Sequence, residues 1–417
     1  MKIAMLVMNP CVNDARVIRQ AETLAARGHD VTVLATWKPG LLRDEKLRGV
    51  RYLRAGGATR QPRDEMATAE PGNLALSVRL GHLVVRTVRA VSRIVIGPSL
   101  VALPRCCLLF GKPLRDLQPD VVHAHELHTL MAGWLYARRH VIPMVYDSHE
   151  LEVGRNGRFL WHEKQLRRIA EGFLIRRCAA VITVCDSIAD YLRDLYHIHR
   201  PLVVHNAPEV LAATRREDVK TSLGLGPEIP LAVYVGNVTT NRGVEAGVET
   251  LARVASLHLA LVGPRNPQVS ARVTALASKL NVTDRLHWVD PVPHEEVTGF
   301  IRTADLSLVL IQNTCLSYAM CFPNKLLESL LAGVPVVASD LVELRRVVAE
   351  TGGGVVVDQT DIDAIQRAIT QVLADRARYV PGKHEIDSMM LRYGWVTQRE
   401  RLATLYETLA LTPGGKR

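Results

Sequence analysis

Short apolar runs, each followed by a stretch with helical spacing, recur in two successive series along the chain, and no other feature limits the fold so strongly. The first series reads IAMLVM, a helical pattern from Asp14 to Arg27, VTVLAT, DVVHAH, Thr129 to Arg139, PMVYDSHE, a helix around Glu163 to Arg177, and AVITVC. Parallel strands joined by crossover helices produce this alternation, so a doubly wound α/β sheet is expected. HRPLVVHNAPEV, bracketed by Pro201 and Pro208, interrupts the series, and a polar stretch runs on to Lys220. A second series then follows: LAVYVGN, a helix from Gly243, HLALVGP, a helix from Val269, RLHWVDP, a helix near Glu295, ADLSLVLI, FPNKLLESLLAG and GGVVV. With 417 residues to distribute, two cores of about 200 residues each are the default. The expected division is 1–205 and 206–388, facing across a cleft with ligands beyond the carboxyl ends of the strands. The tail 389–417 forms an amphipathic helix with Trp395, Leu402, Leu405 and Leu409 roughly on one face.

The familiar ligands of doubly wound sheets are set aside by what is missing. Residues 1–27 contain no glycine, against the Gly-x-Gly-x-x-Gly of dinucleotide sites. Neither a P-loop signature nor a G-x-S-x-G elbow occurs. What remains suits a diphosphate. Pro323-Asn324-Lys325 opens a helix, where free N–H groups and a first-turn lysine favour an anion. Glu328, on the same face, could accept two vicinal ribose hydroxyls. The competing reading is a surface i,i+3 ion pair between Lys325 and Glu328 worth about 0.2–0.5 kcal/mol. Gly236-Asn237 ends the strand LAVYVGN, and Arg242-Gly243 opens the next helix, placing a guanidinium at a strand's carboxyl end. Gly263, Asn324 and Leu326 complete the donor-side candidates.

On the other half, the loop NPCVND joins the first strand to a helix, where backbone N–H groups could meet phosphate or sugar; Asp14 there is most simply a helix cap. His123, His125 and His128 in VVHAHELH tempt one toward a metal. Alternate strand residues point to opposite faces and no further acidic or Cys cluster is apparent, so no metal is assigned. His149, at the end of PMVYDSHE, is placed to bond a sugar hydroxyl, with a satisfied structural histidine as its rival. Asn13, Asp14, His125 and Glu150 are the acceptor or sugar contacts expected beside it.

Seven cysteines without a C-x-x-C pair indicate reduced thiols in a cytoplasmic setting. MKIAMLVMNP is too short an apolar run for a secretory signal and reads as a buried strand. The formal charge of +10 is concentrated between Pro71 and Arg115, which holds Arg79, Arg86, Arg89, Arg93, Arg105, Lys112 and Arg115 and no acidic residue. Arg79, His82, Arg86, Arg89 and Arg93 share one face of a helix that is otherwise Leu, Val and Ile. Residues 74–110 are therefore expected to lie against an anionic membrane surface, on the inner face of the cell membrane, rather than to span it. A helix pair capping the sheet, its arginines merely solvated, is the alternative. Aromatic residues are only 5% of the chain, which counts against nucleic acid.

The order of these pieces resembles the family 4 glycosyltransferases, retaining enzymes of the two-domain GT-B architecture built from two Rossmann-like domains. It is carried by VNDARVIRQAETLAARGHDVTVL, PDVVHAHELH, VYDSHEL, AAVITVCDSIADYL, VVHNAP, YVGNVTTNRG, LALVG, ADLSLVLI, FPNKLLESLLAGVPVVASD and YGWVTQRERLATLY. The resemblance implies a nucleotide-sugar donor, UDP- or GDP-linked, in the C-terminal domain and an acceptor in the N-terminal one, with no cofactor or metal. It gives Arg242 and Lys325 to the diphosphate, Glu328 to the ribose and His149 to the transferred sugar, makes these three basic residues the catalytic set, and sends the terminal helix with Trp395 back to the N-terminal domain. The Pro-Asn-Lys-Leu donor helix resembles one subgroup. Two positions depart from the usual pattern: Met320 stands where a first glutamate is expected, and Asn237 where an arginine often follows Gly236. The acceptor expected is a lipid-linked glycan or a cell-surface polysaccharide precursor, with a soluble small molecule as the variant. A sugar-nucleotide 2-epimerase and a catalytically silent sugar-nucleotide-binding protein are the rivals.

Overall fold

The computed structural model describes residues 1–56, 98–155, 157, 160–207 and 217–411. The basic apolar helix expected over Leu74 to Ile96 lies outside the described residues. The first sheet comprises β1 (Lys2–Leu6), β2 (Asp30–Thr36), β3 (Asp44–Leu47), β4 (Val50–Ala55), β5 (Val121–His125), β6 (Met144–Ser148), β7 (Ala180–Thr183) and β8 (Leu202–Val203). Its order is β3-β4-β2-β1-β5-β6-β7-β8, parallel throughout except for β3 against β4. That edge hairpin is too charged to read as a strand from hydropathy: Asp44 pairs with Arg51 and Glu45 with Arg54, and such charges discourage further pairing.

The second sheet comprises β9 (Leu231–Val235), β10 (His258–Val262), β11 (Leu286–Val289), β12 (Leu306–Val309), β13 (Val336–Ser339) and β14 (Gly354–Val357). It is parallel, in the order β11-β10-β9-β12-β13-β14. Helices cover both faces, which is why β1, β5, β9 and β12 bury nearly every side chain. In each sheet the connections change direction beside the first strand, between β1 and β5 and between β9 and β12. The crevice of a doubly wound sheet opens at such a reversal, beyond the carboxyl ends.

The last helix, Trp395–Leu411, packs on the first domain. Trp395, Leu402 and Tyr406 are buried in one cluster with Ile3, Val17 and Val31. The backbone N–H of His205 donates to Gln398 Oε1 at 3.0 Å, and Tyr406 Oη lies 2.8 Å from His123 Nδ1. Leu405 and Leu409 only flank this cluster. The domains touch directly: Ser187 N and Oγ donate to Glu343 Oε1 at 2.8 and 2.5 Å, and Cys185 Sγ donates to the Met320 carbonyl at 3.1 Å.

Candidate functional site

Beyond β9, β10 and β11 a cavity of about 410 Å³ opens, lined among others by Tyr234, Gly236, Asn237, Arg242, Gly263, Val292, His294, Asn324, Lys325 and Glu328. Two glycines shape it. Gly243 has φ +75°, and a Cβ there would stand 2.0 Å from the Leu310 carbonyl oxygen. A Cβ on Gly263, φ +138°, would meet the Gly236 oxygen at 2.4 Å. Only glycine permits these approaches, which bring Arg242 and the ends of β9 and β10 together.

Lys325 occupies the first turn of the helix Asn324–Leu331, as its place after Pro323 suggests, but it is not a surface residue. It is 8% exposed, its Nζ has no hydrogen-bond partner among the described residues, and it stands 3.6 Å above the centre of the Tyr234 ring. Burial, then the neighbouring Arg242, lowers its pKa from 10.5 to about 7, against the opposing pull of Cys321 and Glu328. A buried ammonium without an anion is costly, and a ring face compensates only in part. The surface ion pair with Glu328 is thereby excluded: Glu328 is itself buried, 4% exposed, and pairs with His294 Nδ1 at 2.9 Å. The Arg242 guanidinium lies 4.8 Å from the Tyr318 ring centre. Leu326 departs from expectation, because its side chain is fully buried in the apolar core rather than turned to the cavity.

On the N-terminal side, β5 and β6 converge on Asp147. Arg16 donates to it through Nε and Nη2 at 2.9 and 2.7 Å, and Gln20 Nε2 adds a third bond at 2.7 Å. Although burial works to raise the Asp147 pKa, Arg16 and the nearby histidines hold it well below the usual carboxylate range. His149 Nε2 lies 3.0 Å from His125 Nδ1 and 3.6 Å from Asp147 Oδ2. Burial lowers the His149 pKa, with His125 and Arg16 adding to that and Asp147 opposing, so a neutral imidazole stands at the end of β6. His125, expected as a sugar contact, is 1% exposed, and its Nδ1 faces His149.

The histidines also do not splay apart. His123 and His125, two apart on β5, stack with ring centres 4.3 Å apart, because residues at i and i+2 share a face. With Asp147 they bring three ligand atoms within 4.8 Å of one another, although the Arg16 guanidinium already occupies both carboxylate oxygens.

The loop from Asn9 to Asp14 binds itself. Asp14 caps the helix Ala15–Ala26 through Val17 N at 3.2 Å and accepts from Asn9 Nδ2 at 2.8 Å, so the capping role holds and its oxygens are engaged within the chain. Asn13 is exposed beside it. Glu150 points to Arg155, 3.4 Å away, which also pairs with Glu126 and Glu152. Glu126 begins the helix after β5 with φ +61°, a left-handed backbone that costs a non-glycine residue about 1 kcal/mol or more.

Sequence profiles agree with this two-part construction: Glycosyltransferase Family 4 matches residues 15–207 and Glycosyl transferases group 1 matches 215–385. The chain belongs to the family 4 glycosyltransferases. Among curated relatives, a D-inositol 3-phosphate glycosyltransferase of Xylanimonas cellulosilytica is 28% identical over 66% of this chain and 69% of its own. One of the same name from Mycolicibacterium smegmatis is 24% identical over 66% and 67%. Sucrose-phosphate synthase of Thermosynechococcus elongatus superposes with a TM-score of 0.75 at 20% identity, covering 98% of this chain and 99% of that one. Anabaena HepE, solved with UDP and glucose, gives 0.68 at 15% identity over 98% and 100%. These folds establish the GT-B architecture.

In this glycosyltransferase the Met320 side chain is partly buried and packs against the core, while its carbonyl serves the domain contact with Cys185. Sequence reasoning missed Tyr234 and His294, which hold Lys325 and Glu328, and Arg16, Gln20 and Tyr406, which hold the histidine row. Only His294 lies outside the segments that carry the family resemblance; Tyr234, Arg16, Gln20 and Tyr406 lie within them, at positions that the resemblance does not mark as supports of the site. A buried Arg16 and Gln20 in an otherwise apolar helix face were the one available signal.

Proposed function

We propose that this glycosyltransferase transfers a hexose, with retention of anomeric configuration, from a nucleoside diphosphate sugar to a hydroxyl of an acceptor. The observation that carries this reading is the Lys325 ammonium, buried, without an anionic partner among the described residues and facing the cavity. A diphosphate supplies the missing charge. Lys325, Arg242 and the first N–H groups of the helix Asn324–Leu331 then stabilise the leaving group as the bond from the sugar C1 to phosphate oxygen breaks. The acceptor oxygen attacks from the same face, and its proton passes to the departing phosphate oxygen; no side chain is needed as general base. His149, neutral and anchored by His125 and Asp147, is placed for a hydroxyl of the transferred sugar. UDP is the first nucleotide to try, since HepE was solved with it.

For the acceptor, the curated relatives' names favour a small soluble polyol over the lipid-linked glycan that the sequence suggested. One observation supports the lipid-linked reading. A groove of about 790 Å³ lined by Leu103, Leu108, Met131, Leu135, Ile169 and Phe173 lies between the helices Pro98–Leu117, Glu126–His140 and Trp161–Ile175. Arg105, Arg138, Arg139, Lys164 and Arg168 are exposed on the same helices, and among the described residues no helix is long and apolar enough to cross a membrane. Such a face suits an anionic bilayer surface. Salt-sensitive sedimentation with phosphatidylglycerol vesicles is expected if it docks there, and none if the acceptor is soluble.

The transfer reading is tested by assaying nucleoside diphosphate release from UDP- and GDP-sugars with inositol phosphates and glycolipids as acceptors, with the product's anomeric configuration read by NMR. Release that needs both substrates, with retained configuration, is the expected result. Donor interconversion without acceptor would indicate an epimerase, and binding without turnover a silent partner.

A further inference from the structure

Glu328 is held in place by a residue that no motif singles out. His294 begins the turn His294–Glu296 that follows β11, and its Nδ1 reaches Glu328 Oε1 at 2.9 Å across the cavity that both residues line. The side chains are 27% and 5% exposed. A carboxylate buried this far needs a donor, and Lys325, one turn earlier on the same helix, does not provide it: its Nζ has no partner among the described residues. The imidazole does. Its Nε2 is closed to solvent and likewise without a partner among the described residues, so Nδ1 is the ring nitrogen that donates, and it donates to Glu328. One charge-assisted bond thus fixes the carboxylate, and a fixed carboxylate grips a diol without first losing rotamer freedom.

We propose that His294 is a positioning residue for nucleotide recognition: it clamps Glu328 in the orientation that meets the ribose 2′,3′-diol, and so sets a preference for ribonucleotides over 2′-deoxyribonucleotides. This rests on the reading of Glu328 as the ribose contact. A purely structural His294 would act differently, lowering stability or weakening both nucleotide forms alike.

Calorimetric titration of UDP, GDP and ADP, each beside its 2′-deoxy analogue, separates the possibilities. Wild-type protein is expected to favour the ribo form of its preferred base by about tenfold, as for one hydrogen bond to a charged acceptor. Glu328→Gln and His294→Ala should each shrink that preference to about twofold or less, chiefly by weakening the ribo form. His294→Gln, whose amide N–H can reach the same carboxylate oxygen, should restore most of it. A preference retained in His294→Ala while Glu328→Gln loses it overturns the clamp and leaves the ribose reading standing. Equal weakening of both nucleotide forms in both His294 variants also overturns it. Absence of any preference in the wild type, or its survival in Glu328→Gln, overturns the ribose reading together with the clamp.

Discussion

Burial and the nearby Arg242 bring the Lys325 pKa down to about 7, so near neutral pH the free site holds this amine partly deprotonated, and a bound diphosphate draws the proton back. The sign follows. Above pH 7 donor binding takes up a proton, and affinity falls as pH rises, by about tenfold per unit once pH exceeds the free-site pKa. Titrating UDP-glucose or GDP-mannose, whose phosphates keep a fixed charge in this range, in buffers of different ionisation heat should show uptake approaching one proton at pH 8. Lys325→Arg should abolish that uptake, and equal uptake in the variant would contradict it. Lys325 and Glu328 were legible in the sequence because lone charges on an apolar helix stand out. Their partners were not. Tyr234 and His294 come from other strands' ends, and Arg16 lies 131 residues from Asp147; such pairings are fixed by sheet order, which hydropathy does not encode.

Among the elements, the helix Trp395–Leu411 ties the chain's end to its beginning. Its apolar spacing was readable, yet the face it buries also contains Gln398, whose amide oxygen satisfies the His205 N–H. Leu402 is fully buried between this helix and the first sheet, so Leu402→Ala is expected to lower stability by about 2–5 kcal/mol, measured by urea denaturation. A loss below about 0.5 kcal/mol, the range of surface substitutions, would mean the helix is not docked. The parallel strands other than β4 were legible as apolar runs, because burial on both faces leaves no alternation to misread; β4, VRYLRA, alternates and carries two arginines, and it was not legible. β3 was not either, since an edge strand of Asp, Glu and Lys carries no hydrophobic signal. Nor was the geometry of β5, whose period of two puts His123 and His125 on one face and makes a buried row of what read as scattered histidines.

At the scale of the whole molecule, two doubly wound domains set their reversal points toward a common crevice, one offering a neutral histidine over a buried carboxylate, the other a cavity walled by cations. The sequence showed this division because each domain repeats the strand-helix alternation and prolines separate the two series. It did not show the contact between them, where Ser187 meets Glu343 and Cys185 meets the Met320 carbonyl, since those groups acquire meaning only once the domains are packed. The central claim, that the cavity is built for a nucleoside diphosphate, is tested most directly by titrating UDP, GDP, ADP and TDP into the wild-type protein and into Lys325→Ala. One of them should bind the wild type at one site per chain and lose about 10²-fold or more in affinity in the variant, as expected for removing a desolvated charge partner. Failure of all four to bind, or affinity unchanged in Lys325→Ala, would contradict it.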